Sequence, residues 1–137
     1  MDGMKKINDN YGHLEGDNAI KAVAATIRDC FAQPCITARF GGDEFMILVK
    51  DVKKPEIIKK EGSRIMQFFE GFSVGEYTKY SPTASVGGAV YPNDASDFES
   101  LYKAADKAVY KSKKDGKNRV SFYSDLNNSD KAADTGK

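Results

Sequence analysis

The sequence predicts an α+β domain with an antiparallel-rich sheet flanked by helices, and three observations point there. Apolar residues recur at helical spacing in three segments. Two short runs of β-branched and apolar residues flank the Gly41-Gly42 dipeptide, and Thr83 to Val90 is a run of small and apolar residues with the character of a buried strand. The resulting order is helix, hairpin, helix, strand, helix, strand. At 137 residues the chain suffices for one domain with a single core and is too short for two of ordinary size.

Residues 1–16 are polar and turn-rich, with Asn8-Asp9-Asn10 and Gly12, and are expected to form a loop with a short helical turn. From Asp17 the pattern changes. Ile20, Val23, Ala24, Ile27 and Phe31 predict an amphipathic helix over 17–31, with Asp17 at or near its N-cap and Pro34 closing it. Ile36–Phe40 and Phe45–Val49 predict two strands joined at Gly41-Gly42, a dipeptide suited to a tight two-residue turn. A second helix follows Pro55 and carries Ile57, Ile58, Ile65, Phe68, Phe69 and Phe72. In the small-residue strand, glycines imply that something packs closely on the backbone. Ser96 and Glu99 have capping-box spacing ahead of a third helix running to about Lys114 and ending at Gly116. Arg119–Tyr123 is a last strand. The domain spans 1–123, and 124–137 offers almost nothing to bury, so it is expected to be a disordered polar tail.

Composition excludes several classes. With 21 basic and 20 acidic residues the net charge is +1, too little to displace counterions from a nucleic acid polymer. Cys30, Cys35 and His13 are the only Cys and His residues, which cannot complete a four-ligand zinc site. The first residues hold no apolar run, and no stretch approaches the roughly 20 apolar residues needed to cross a bilayer. These features predict a cytoplasmic segment without membrane contact of its own, although upstream regions could anchor a longer protein.

Two acids directly after Gly41-Gly42 are a candidate site. Glycines let a ligand approach the backbone, while Asp43 and Glu44 add negative charge beside it. Consecutive strand residues face opposite sides, which suggests two jobs: one acid for a hard cation such as Mg²⁺, the other for a hydroxyl. In isolation such a run is more often the acidic tip of a solvated hairpin, because turns favour these residues.

Four blocks, in order, reverse those odds. They are Lys5 to His13 with Gly16-Asp17, Ala38 to Phe45, Thr83 to Gly87, and Ala105 to Lys113 with Gly116 to Val120. Together they resemble the GGDEF family, the diguanylate cyclases, over residues 1 to about 123. The resemblance implies a palm-like fold similar to nucleotidyl cyclases and condensation of two GTP molecules into cyclic di-GMP with release of pyrophosphate. It also implies Mg²⁺ or Mn²⁺ as cofactor and a homodimer in which two domains face each other, each holding one GTP.

By the same resemblance Asn8 and Asp17 read guanine. Asp17 offers only acceptors, which match the N1–H and N2–H₂ edge that adenine lacks. The backbone of Gly3, Met4 and Lys5 would wrap the β- and γ-phosphates, with Gly42 at the substrate. Lys113 and Lys117 would reach the triphosphate. Lys117 stands where most of the family has Arg, replacing a bidentate contact by a point charge. Asp43 is the expected metal ligand, joined by the Met1 backbone and Asp2, and Glu44 is expected to activate or stabilise the attacking 3′-hydroxyl. Arg39 is expected to orient structure, and His13 to be a turn residue.

The sequence departs from the family pattern in two places. The family's first helix and central first strand, which ends in Asp-x-Asp, have no counterpart before Met1. Asp2 matches the second Asp of that pair and Met1 the residue between. Cation binding is therefore expected to be weakened and strand edges exposed. The family's Arg-x-x-Asp product-inhibition motif is replaced by Ala32-Gln33-Pro34-Cys35, so that site is expected to be lost. A sensor domain is expected upstream. The alternative function is a catalytically weak or inactive GTP-binding, dimerising regulatory module.

Overall fold

The computed structural model describes residues 1–31, 34–70 and 82–134. The first helix, α1 (Met4–Tyr11), is short and buries only Met4 and Ile7. Two apolar contacts in eight residues make too short a pattern for periodicity to reveal, which is why the sequence predicts a loop here and the structure shows a helix. Gly12 breaks the helix with φ 88° and ψ 164°, and its N–H closes α1 on the Asn8 carbonyl at 2.9 Å. The next helix, α2 (His13–Cys30), starts four residues earlier than expected. Its first turn has nothing to bury, Leu14 being 72% exposed, and apolar spacing therefore misses it. Asp17 accordingly lies inside α2, and the residue before the helix is Gly12, which makes no side-chain cap.

Strands β1 (Cys35–Arg39) and β2 (Phe45–Val49) pair antiparallel from Cys35–Val49 to Arg39–Phe45. The connection is longer than the expected two-residue turn. Phe40 N–H bonds Glu44 O at 2.8 Å, so residues 41–43 form the loop, and of its two glycines only Gly41 has a left-handed φ, 66°. Asp43 therefore sits in the turn rather than on a strand. Helix α3 (Pro55–Glu70) begins at Pro55, as expected. Phe72, expected on it, lies outside the described residues, as do Ala32 and Gln33 of the inhibition-motif position.

The small-residue strand contracts to β3 (Ser85–Gly88), which pairs in parallel with β4 (Arg119–Phe122). Parallel strands need a crossover, and helix α4 (Phe98–Lys114) supplies it. Its cap is Asp97 with Ser100, one residue out of frame from the expected Ser96–Glu99 box. Asp97 has extended backbone and accepts from Ser100 N–H at 2.8 Å. The Ser100 bonds hold the Asp97 carboxyl below its ordinary pKa. α4 ends at Lys114, and Gly116 follows with φ 118°.

The expected close packing on β3 is by α4. A Cβ on Gly87 would lie 2.3 Å from Val109 N and 2.4 Å from Ala105 O. Ser112, fully buried, donates to Val86 O or shares with Ser121 Oγ, both at 2.8 Å, fastening α4 to both strands.

Two apolar clusters make the core. One holds Met4, Ile7, Ala19 and Ile20, the other Val23, Ile27, Ile65, Phe69 and Ala84. Met1 and Phe45 pack against both. Each large aliphatic side chain so buried contributes about 1.5–3 kcal/mol relative to exposure. Among the described residues β1–β2 and β3–β4 are separate two-stranded sheets. Residues 1–2 lie between them: the Met1 amine donates to Asp43 O at 2.7 Å, and Asp2 forms an antiparallel bridge with Thr83.

The expected disordered tail is ordered through residue 134. A turn of 3-10 helix at Tyr123–Asp125 leads to α5 (Asn128–Ala132), capped by Asn127. Lys111 pairs with Asp130 at 3.6 Å, and Lys107 donates to the Lys131 carbonyl. Composition suggested disorder because α5 is held by polar contacts to α4 rather than by apolar burial.

Candidate nucleotide-binding site

A cleft of about 470 Å³ opens where α1, α2 and the β1–β2 loop meet, within the range of small-ligand sites. α1 contributes Met4, Lys5, Asn8 and Asp9, α2 contributes His13, Asp17 and Ile20, and the loop side contributes Arg39, Gly42 and Asp43. Six residues predicted for guanine, phosphate or metal thus share one cavity: Met4, Lys5, Asn8, Asp17, Gly42 and Asp43.

Each wall has a local cause. The break at Gly12 folds α1 back against α2 and sets Asn8 near the first turns of α2. The Asn8 side chain then fills the space over Gly16, where a Cβ would come within 1.8 Å of Asn8 Oδ1. Asp17 follows Gly16 directly and is exposed to the cleft. Across from it, Phe45 anchors the hairpin in both core clusters. Arg39 Nε donates to Gly42 O at 3.0 Å, bracing the loop that carries Asp43. Arg39 has the orienting place expected of it and also lines the cleft. His13, expected only as a turn residue, lines it as well, as do Asp9 and Ile20. The available signal is position: Asp9 adjoins Asn8, and His13 and Ile20 lie four and three residues from Asp17, on the same face of α2.

The remaining predicted residues lie outside this lining. Gly3 precedes α1 with φ 86°. Glu44 is half-buried beside Asp43. Lys113 is exposed near the end of α4, and its charge acts on the Met1 amine. Lys117 lies beyond the helix with φ 64° and bonds Ser112 O through its N–H at 2.9 Å. Burial lowers the pKa of the Met1 amine, against the raising pull of Asp43 and Asp2. The Asp2 carboxylate is turned to Thr83 Oγ1 and Ser85 Oγ, at 2.8 and 2.9 Å.

For a divalent cation the donor chemistry fits only in part. No group of three or more His, Cys, Asp or Glu side chains suited to a metal occurs among the described residues. The carboxylates that could hold Mg²⁺ arriving with a nucleotide are Asp43 and neighbouring Glu44, since Mg²⁺ is commonly held by one or two carboxylates plus substrate phosphates. No helix among the described residues is long and apolar enough to cross a membrane.

Comparison with known proteins addresses family and fold. The family described as "Diguanylate cyclase, GGDEF domain" matches residues 1–119. Diguanylate cyclase A of Treponema denticola is 35% identical over 123 residues, covering 89% of this chain and 33% of that protein. The cyclic di-GMP phosphodiesterase NbdA of Pseudomonas aeruginosa is 36% identical over 124 residues, covering 90% of this chain and 16% of that protein. The chain therefore spans a third or less of these two relatives. Among solved structures, the GGDEF domain of YfiN from Pseudomonas aeruginosa superposes with a TM-score of 0.81 at 27% identity, covering 90% of this chain and 77% of that one. The GGDEF domain of DgcB from Caulobacter crescentus, in complex with c-di-GMP, gives 0.69 at 30% identity, covering 90% and 73%. The mixed helix–strand architecture is thus the palm-like one, and with its four motif blocks gathered around one cleft and one crossover unit, the chain belongs to the GGDEF family of diguanylate cyclase domains.

Proposed function

We propose that this chain is a diguanylate cyclase domain that binds one GTP in the cleft and, facing a second copy, condenses two GTP into cyclic di-GMP and pyrophosphate. The observation that carries this reading is the meeting of Asn8, Asp17, Lys5 and Asp43 in one cavity of about 470 Å³. Asn8 and Asp17 present acceptors to the guanine edge, and Ile20 gives the base an apolar wall. Lys5 and the backbone at Gly3–Lys5 meet the phosphates with positive charge and N–H groups. Asp43, with Glu44 beside it, would hold Mg²⁺ or Mn²⁺, which supplies charge neutralisation at the triphosphate.

In the reaction, the 3′-oxygen of one nucleotide forms a bond to the α-phosphorus of the other. The bond from that phosphorus to the bridging oxygen of the leaving pyrophosphate breaks, and the 3′-hydroxyl proton passes toward Glu44. A second, symmetric event closes the ring. Because each copy holds one substrate, the rate rises with the square of protein concentration while monomer predominates.

The test is product analysis by chromatography after incubation with GTP and Mg²⁺ or Mn²⁺. Cyclic di-GMP is expected, with Glu44→Gln lowering its formation by about a hundredfold or more, the scale of general acid–base assistance. A second reading, a GTP-binding module that does not turn over, is favoured by the occurrence of this domain within relatives named as phosphodiesterases. GTP binding without product at high protein concentration selects that reading, and no GTP binding rejects both.

A further inference from the structure

We propose that Asp2 is a positioning residue that joins the two sides of the triphosphate site, and that it is not a cation ligand; the proposal rests on the cleft being a GTP site. Asp2 and Thr83 exchange backbone bonds in both directions, at 2.7 and 3.2 Å. The Asp2 carboxylate accepts from Thr83 Oγ1 at 2.8 Å and from Ser85 Oγ at 2.9 and 3.0 Å. It also receives the Asn118 N–H at 3.5 Å, the longest contact of the set. An ionised carboxylate has about four acceptor positions. Two hydroxyls and one long N–H contact already occupy most of these, so the carboxylate is committed chiefly to protein donors.

What the carboxylate connects gives it a role. Gly3, Met4 and Lys5, the phosphate-facing backbone, follow it directly in sequence. Lys117, the expected triphosphate contact, directly precedes Asn118. Lys117 and Asn118 have φ of 64° and 48°, a conformation uncommon outside glycine that persists only where surroundings hold it. Two bonds hold this turn, Lys117 N–H to Ser112 O at 2.9 Å and Arg119 Nε to Lys117 O at 3.0 Å, and a longer contact from Asn118 N–H to Asp2 at 3.5 Å adds a third tie. Asp2 is the one partner among these that also belongs to the α1 side. Through Thr83 and Ser85 it is fixed to the start of β3, so one side chain sets the spacing between the start of α1 and the Lys117 turn.

Calorimetry with an α,β-methylene GTP analogue, with guanosine, and with Mg²⁺ at fixed analogue tests this in the full chain. Asp2→Ala is expected to weaken the analogue roughly tenfold, the scale of losing a hydrogen bond to a charged group. Guanosine affinity and the Mg²⁺ midpoint stay as in the wild type. The Thr83→Val, Ser85→Ala double variant, with Asp2 intact, reproduces the loss. A shifted Mg²⁺ midpoint in Asp2→Ala that the double variant lacks would make Asp2 a ligand and overturn the proposal. Equal loss for guanosine would reduce it to general stability and overturn it too. Hydrogen exchange in the nucleotide-free protein gives a reading independent of GTP. The Lys117 and Asn118 amides exchange faster in Asp2→Ala and are slowed again in Asp2→Asn, which keeps an acceptor. Unchanged exchange there rejects the proposal. If the wild type binds no analogue, the GTP reading falls, and exchange at 117–118 still decides whether Asp2 holds the turn.

Discussion

A Cβ built on Gly16 would lie 1.8 Å from Asn8 Oδ1 and 2.9 Å from Asn8 Cγ, with Met4 Cε at 3.4 Å. The obstacle is the end of one side chain, which can rotate away, so Gly16→Ala trades recognition for stability. Alanine in a helix interior is favoured over glycine by about 0.5–1 kcal/mol. Gly16→Ala is therefore expected to keep or raise Tm and, if the cleft takes GTP as proposed, to weaken that binding by about tenfold, as Asn8 leaves its place. Thermal melting beside calorimetry checks both signs, and undiminished GTP affinity would remove Asn8 from guanine recognition. Asn8 and Asp17 illustrate how the site was legible. Their chemistry was readable as a pair only through the motif blocks, because α1 buries just Met4 and Ile7. Asp17 alone resembled a helix cap. Its true setting, one residue beyond the glycine that Asn8 covers, depends on the fold back at Gly12.

Between elements, the closest approach is β3 on α4. At Gly87 the neighbours of an added Cβ are backbone atoms, Val109 N at 2.3 Å, Ala105 O at 2.4 Å and the Ala108 carbonyl carbon at 2.8 Å. Backbone of a packed helix cannot turn aside, and the strand must move off it. At Gly88 the neighbours are Phe122 ring atoms at 2.7 Å, which can rotate. Gly87→Ala is thus expected to destabilise by about 1–3 kcal/mol or more, and Gly88→Ala by less. Urea unfolding checks the order, and equal midpoints would contradict this packing. The sequence indicated that something packs tightly on 83–90. That α4 does so follows from Ala104, Ala108 and Ser112 lying on its buried face, a pairing that no single helix pattern encodes. The cap of α4 lies one residue beyond the expected frame for a related reason. Ser96–Glu99 and Asp97–Ser100 are overlapping frames of the same spacing, and only the extended backbone of Asp97 selects between them.

At the level of the whole molecule, the described strands form two separate pairs, and the first two residues touch both sides, Met1 through Asp43 and Asp2 through Thr83. The expectation of a free tail failed because ionic and carbonyl contacts from α4 hold α5, and composition does not report partners. The β3–α4–β4 unit is contiguous, spanning residues 85–122, whereas the contacts of Met1 with Asp43 and of Asp2 with Thr83 close loops of 42 and 81 residues. Local contacts form before distant ones, since chain closure costs entropy before it is rewarded. The contrast is largest for the Asp2–Thr83 contact, 81 residues apart, and predicts that it forms after the crossover unit. The crossover unit is expected to gather first around Ser112, and the bridge of Asp2 to Thr83, which closes the longer loop, to form later. Pulsed hydrogen exchange during refolding is expected to protect the amides of α4 and β4 ahead of Asp2 and Thr83, and simultaneous protection would reject that sequence of events.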